Sequence, residues 1–243
     1  MFNLKQKKMN NAGYKLTLVL VLVASFTVTF AQDDYEPRYL LENKMGKVHV
    51  SGFGSYIIGF SDVGGSFAVY NGGGGAVLLN QTVYLGGYGM GLSTSHKYDP
   101  VTILKDDNSL SEISDLYTSF GHGGFWLGYL HKSYKPVHFG VSTKLGWGSI
   151  DLREKRTYTD NPDVDYNYFL SDHVFVMTPQ LEVEMNLLRW FKMSASAGYQ
   201  LVSGIDQTYI NASGQETDFF SGNDFNSPMF NLTFSFGGFG GAR

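Results

Sequence analysis

Apolar and polar residues alternate along most of this chain, and the alternation is clearest in its second half. In VHFGVSTKLGWG, Val137, Phe139, Val141, Leu145 and Trp147 share one face, and His138, Gly140, Ser142, Lys144 and Gly146 share the other. VFVMTPQLEVEMN sets Phe175, Met177, Leu181, Val183 and Met185 against Thr178, Gln180, Glu182, Glu184 and Asn186. FKMSASAGYQL sets Phe191, Met193, Ala195, Ala197, Tyr199 and Leu201 against Lys192, Ser194, Ser196, Gly198 and Gln200. FNLTFSF does the same with Phe230, Leu232, Phe234 and Phe236 against Asn231, Thr233 and Ser235. A period of two places successive side chains on opposite faces of a sheet, so each run predicts a strand with one apolar and one polar side. Eight strands are predicted, at about 47–60, 66–79, 82–95, 116–131, 136–151, 172–186, 190–203 and 227–238.

The connections have a pattern of their own. After the second, fourth and sixth strands they are short: Asn80-Gln81, Lys132 to Lys135 and Leu187 to Arg189. After the third, fifth and seventh they are long and polar, spanning 96–115, 152–171 and 204–226. The first link, Ser61 to Gly65, falls on the long-loop side. Short and long links at opposite ends are what an up-and-down membrane barrel requires. The alternative is a soluble barrel such as a lipocalin, which hides its apolar face inside. Apart from Lys144, Glu182, Glu184 and Lys192, the predicted strands carry hardly any charge. A soluble exterior built from those polar faces would be short of charge, whereas a small lumen accommodates them. The expected fold class is therefore all-β, an eight-stranded antiparallel up-and-down transmembrane β-barrel.

The first 31 residues change the picture again. Lys5, Lys7, Lys8 and Lys15 precede or border the apolar run LTLVLVLVASFTVTF, and Thr29-Phe30-Ala31 supplies small residues before a cut. This is the form of a secretory signal peptide cleaved after Ala31. As a membrane anchor the run is short, since about 20 residues are needed to span a bilayer. Removing 31 of 243 residues leaves 212, with 14 basic against 22 acidic side chains and a net charge of −8. That balance argues against a nucleic-acid surface. The chain contains no cysteine, hence no disulfide framework. Three regions are expected: signal peptide 1–31, a periplasmic segment 32–46, and a barrel domain 47–243.

Signal peptide, eight alternating strands, aromatic strand ends and the terminal FNLTFSF resemble a bacterial outer-membrane β-barrel. With its glycine-rich early strands and a last strand ending in FGGFG, the chain is similar to small barrels of Bacteroidetes-type Gram-negative bacteria. The resemblance covers essentially the whole mature chain, and it speaks to fold rather than activity. It implies outer-membrane localisation, with lipid and lipopolysaccharide as surroundings and a protein partner in the same membrane as a further expectation. It also implies a final aromatic read by the insertion machinery, yet GGFGGAR runs on past Phe236.

Candidate chemistry is sparse. Lys144, Gln180, Glu182, Glu184 and Lys192 form an expected polar network of the lumen; with a turn centred on Leu188, Glu184 faces Lys192. A catalytic carboxylate or ion path is the functional reading, and a space-filling internal ion network the plain and preferred one. NGGGGAVLLN has the look of a phosphate cradle but lacks the following helix and the Lys or Ser/Thr that such loops need. With a two-residue turn at Asn80-Gln81, Gly74 falls opposite Gly87 and Gly72 opposite Gly89. That arrangement predicts a glycine wall of Gly72, Gly74, Gly87, Gly89 and Gly91 lining the lumen, extended by Gly52 and Gly54, with Tyr84, Tyr88, Met90 and Leu92 on the lipid side. His122 and His138, or His96 and His173 near the outer rim, supply general-base candidates without a recognisable nucleophile. Acidic loops, including Asp160, Asp163 and Asp165, have oxygen-ligand character but not the spacing of a calcium loop. No cofactor, metal site or catalytic residue is assigned. The expected role is structural or surface-interacting, as an accessory of an envelope complex, with a barrel enzyme acting on envelope lipid or peptide and a narrow solute pore as alternatives.

Overall fold

The computed structural model describes residues 48–105, 109–154 and 168–239. The expected signal peptide, the segment 32–46 and the acids Asp160, Asp163 and Asp165 lie outside the described residues. Among those described there is no helix, and eight long strands carry the fold: β1 (Val50–Val63), β2 (Ser66–Leu79), β3 (Val83–Leu92), β4 (Leu116–His131), β5 (Val137–Glu154), β6 (Tyr168–Asn186), β7 (Phe191–Ser203) and β8 (Ser227–Gly237). Each pairs antiparallel with the next, and β8 pairs with β1, so the sheet closes on itself.

The stagger of the closure follows from the pairing. One row of partners runs Val50, Leu79, Val83, Tyr129, Val141, Leu181, Ala197 and Phe230 and returns to β1 at Phe60, ten residues beyond its start. With a rise of ~3.3 Å per residue and strands ~4.8 Å apart, that stagger gives a tilt of about 41° and a backbone radius of about 8 Å. An interior of that width is filled by side chains.

Two turns decide which side chains fill it. At the top, Gly64 and Gly65 take φ of 58° and 81°, and Asp62 Oδ1 accepts the Gly65 amide at 2.8 Å. Positive φ at both positions matches the right-handed twist of a two-residue hairpin. The first link is thus Gly64-Gly65 alone, shorter than the expected Ser61 to Gly65, and β1 continues to Val63. At the bottom, Asn80 and Gln81 also take positive φ, 49° and 54°, and Thr82 N donates to Leu79 O at 2.9 Å. Thr82 is left out of the ladder, so Leu79 pairs with Val83 and the connection is one residue longer than expected.

That residue corrects the predicted glycine pairing. Gly74 lies opposite Tyr88, Gly75 opposite Gly87 and Gly73 opposite Gly89. A slip of one turns a strand inside out. Tyr84, Tyr88 and Met90 consequently point inward and are buried, and Gly87, Gly89 and Gly91 face outward. Gly52 and Gly54 also face outward on β1. Of the expected wall, Gly72 and Gly74 line the lumen, joined by Gly86; a Cβ on Gly72 would lie 2.2 Å from Gly89 O and 2.7 Å from Met90 Cγ. The β6–β7 turn slips by two, with Ser194 opposite Glu184 and Ser196 opposite Glu182. An even slip keeps every side chain on its expected face.

The long loops are not featureless. Val101–Leu104 pairs with Leu110–Ile113, and Thr208–Ile210 with Glu216–Asp218. Ile103 bridges to Asn211, joining the two ribbons above the barrel.

Candidate functional site

Inside the barrel the side chains fall into two layers. Toward the long loops the lumen is mainly apolar: Ile57, Tyr70, Phe120, Ile150, Val174 and Met229 are almost fully buried, with the polar Gln200 and Asp172 buried beside them. Phe225, fully buried, drops from the β7–β8 loop onto Phe120, with ring centroids 5.3 Å apart, and Phe220 packs on Phe225 and on Tyr98 at the same separation. The Tyr98 hydroxyl donates to Phe219 O, and burial pushes its pKa up to about 12. The loop aromatics form a lid.

Toward the short turns the lumen is polar, and here the structure gathers the predicted network. Lys192 Nζ lies 2.6 Å from Glu184 Oε1, and His138 Nε2 lies 2.9 Å from the same oxygen. His138 Nδ1 lies 3.1 Å from the Lys135 carbonyl, so the ring is held between two acceptors. One level up, Glu182 accepts from Ser142 Oγ, from Gln180 Nε2 at 2.8 Å and from the Tyr84 hydroxyl at 3.2 Å. Asn231 Nδ2 extends the chain, donating to Gln180 Oε1 and Ser196 Oγ, both at 3.1 Å. A buried carboxylate needs this company, because desolvation costs several kcal/mol per ion.

Lys144 belongs to the same interior on different terms. It is 1 % exposed, feels the Glu182 carboxylate electrostatically, and holds Nζ 5.7 Å from the Trp126 ring and 5.9 Å from the Tyr88 ring. Electron-rich ring faces stabilise a desolvated ammonium. Below it, a cavity of about 10 Å³ lined by Tyr84, Trp126, Glu182, Glu184 and Lys192 has room for about one water. Phe239 closes the lower end, with Lys192 Nζ 4.4 Å from its ring. Tyr84, His138, Ser142, Ser196 and Asn231 complete a network that pattern reading named only in part. Of these, Tyr84 was hidden by the slipped register.

The histidines do not assemble a recognisable triad among the described residues. His122 and His138 both point inward but at different heights, His122 near the middle of β4 and His138 at the short-turn end of β5, with His122 meeting the Tyr88 hydroxyl at 3.0 Å. His96 meets Thr94 Oγ1 at 2.8 Å, and burial lowers its pKa. Asp62 acts on His96 only through space and hydrogen-bonds Gly65 instead. His173 is exposed on the outer side of β6. Lys97 pairs with Asp115 at 2.8 Å, which raises the lysine pKa. No group of three His, Asp or Glu side chains suited to a metal ion occurs among the described residues.

The outer face completes the geometry. From Val50 to Phe60, Phe67 to Leu79, Val83 to Gly91, Tyr117 to Tyr129, Val137 to Ser149, Phe175 to Met185, Phe191 to Leu201 and Pro228 to Phe236, no outward side chain is Asp, Glu, Lys or Arg. Phe67, Phe139, Trp147, Leu181 and Phe230 stand on it more than half exposed. The four charged residues in those spans, Lys144, Glu182, Glu184 and Lys192, all face the lumen. Comparison with known proteins finds no family model that matches the chain and no curated protein similar to it.

Proposed function

We propose that the protein is an integral outer-membrane β-barrel, exported by residues 1–31, with a structural or surface-interacting role rather than a catalytic one. The observation that carries this reading is the inversion of charge: an apolar, charge-free exterior around a lumen that holds every charge of the spanning segments. In water such an exterior would expose a continuous apolar surface far larger than a soluble monomer tolerates. In lipid it is the expected band, and closure leaves no sheet edge unsatisfied. The short turns then face the periplasm and the acidic, aromatic loops face outward, toward lipopolysaccharide and an envelope partner.

The filled lumen and the aromatic lid weigh against a solute pore. Glu184 is paired with Lys192, Glu182 is held by neutral donors and Lys144 lies against two aromatic rings, which favours a space-filling network over an enzyme's working groups. Outer-membrane fractionation and heat-modifiable gel mobility test the barrel; a mature chain recovered as a soluble periplasmic monomer sinks the proposal. Isolation in mild detergent tests the accessory role through co-purifying partners. A purified barrel that cleaves lipid A or peptide, and stops doing so on His96→Ala, overturns the non-catalytic reading.

A further inference from the structure

Two features of the exterior meet at the short-turn end. The first is a groove of about 590 Å³ running over β7. Its floor is Ala195 and Ala197, the two smallest outward side chains of a strand that otherwise shows Phe191, Met193 and Tyr199. Leu181 and Val183 on one side and Phe230 on the other form its walls. The outward side chains that line this trough are aliphatic or aromatic until its lower end, where His131 stands beside Phe139, its partner across β4 and β5.

The second feature is charge. Lys132 follows His131 directly, and the turn that it opens carries Lys135. The neighbouring β6–β7 turn carries Arg189. Asn186 ties the two turns together, its Nδ2 donating to Ser133 O at 2.9 Å and to Lys135 O at 2.8 Å. Among the described residues the short-turn rim carries no carboxylate. The opposite rim is rich in them, with Asp99, Glu112, Asp206, Glu216 and Asp218 in its loops. An apolar trough ending at a cluster of cations is complementary to one kind of molecule, an apolar chain ending in an anion.

We propose that this groove is a binding site for an anionic phospholipid of the periplasmic leaflet, with an acyl chain lying over Ala195 and Ala197 and the phosphate held by Lys132, Lys135 and Arg189. The inference rests on the membrane reading above. Each Lys or Arg at an anionic bilayer surface contributes about 1 kcal/mol, the equivalent of about fivefold in association. The groove supplies what a diffuse basic rim lacks, a fixed place for the chain.

The test uses the full mature chain inserted in phosphatidylcholine vesicles, with acyl chains brominated near the interface as quenchers. Trp126 is buried in the lumen, whereas Trp147 and Trp190 are 58 % and 57 % exposed. In a Trp147→Phe background the quenchable signal therefore comes from Trp190, in the β6–β7 turn. Brominated phosphatidylglycerol should associate roughly fivefold or more in preference to brominated phosphatidylcholine. The preference should fall to about one in the combined Lys132→Gln, Lys135→Gln, Arg189→Gln variant. It should also weaken in Ala197→Phe, which fills the groove and leaves the rim cations in place. Equal quenching by both lipids in the parent overturns the site, and a preference untouched by Ala197→Phe overturns the groove as its seat. Displacement by millimolar glycerol 3-phosphate would point to a soluble ligand and overturn the lipid assignment. Failure of the Trp147-containing parent to float with vesicles or to be quenched at Trp147 refutes the membrane reading itself, and the site with it.

Discussion

If the exterior lies in lipid, the cost of placing a charge on it must depend on depth, and β6 provides the ruler. At a tilt of about 41°, each residue advances about 2.5 Å along the barrel axis. Leu181 stands five residues above Asn186, the last residue of β6, which puts it about 12 Å above the short-turn rim. That is the middle of an apolar band about 25 Å tall. Met185 stands four residues nearer the rim, about 10 Å lower and close to the interface. Both face outward, Leu181 at 69 % exposure and Met185 at 38 %, so neither substitution opens a core cavity. Leu181→Arg should cost about 2–4 kcal/mol and Met185→Arg about 0–1. Reversible denaturant unfolding in phospholipid vesicles measures both, and heat-modifiable mobility confirms that the variants fold. In a soluble barrel an outward arginine is tolerated at either place. Equal stabilities, or a larger loss at Met185, would refute the lipid-facing exterior and the depth derived from the ten-residue stagger.

Three further outcomes follow from particular contacts. Glu184→Gln removes the anion between Lys192 and His138 and should destabilise the barrel by about 3–5 kcal/mol in the same unfolding assay, because two buried donors lose their charged partner. A loss under 1 kcal/mol would mean that the cluster is hydrated. Gly72→Ala should cost about 1–3 kcal/mol, since its methyl would meet Gly89 O and Met90 inside the wall. Gly89→Ala has nothing within 4 Å of the new methyl and should be neutral or stabilising by about 0.4–1 kcal/mol through the unfolded chain. The reverse order would restore the register rejected above. The folded-state pKa of His96 is depressed by burial, so the unfolded loop binds more protons in the window below pH ~6.5. The loop around residues 93–99 should therefore open progressively as pH falls through that window, read by hydrogen exchange; protection that rises on acidification would contradict it.

The strands from β4 onward were readable from sequence because their faces differ in kind. Where Lys144, Glu182, Glu184 and Lys192 alternate with Val141, Leu181, Val183 and Met193, only one phase buries the charges, and a miscounted turn does no harm when the error is even. The β6–β7 register slipped by two and Glu184 still met Lys192. In β2 the run Gly72 to Gly75 presents glycine to both faces, so the pattern carries no phase. Orientation there hung on the length of the Asn80 turn, where the place of Thr82 outside the β2–β3 ladder is a matter of backbone geometry rather than hydropathy. One residue then exchanged Tyr84 and Tyr88 for Gly87 and Gly89. The aromatic lid was not visible at all, since Phe219, Phe220 and Phe225 sit in a polar loop with no period to place them.

The same contrast explains why the polar layer sits where it does. Glu184 is reached from β5 by His138 and from β7 by Lys192. Glu182 is reached from β5 by Ser142 and, across the lumen, from β3 by Tyr84. Sliding β6 by two residues would keep its alternation intact and leave Lys192 within reach of Glu184, yet it would take Glu184 from opposite His138 and Glu182 from Ser142 and Tyr84. Hydrophobic alternation rejects odd slips because they bring charge to the exterior, and it is blind to even ones. The hydrogen bonds of His138, Ser142 and Tyr84 to the two carboxylates reject the even ones. The members of this network are therefore understood as the elements that fix register in a sheet whose outer face has too little chemical variety to do so, and this gives buried charge a structural role that requires neither a substrate nor a pore.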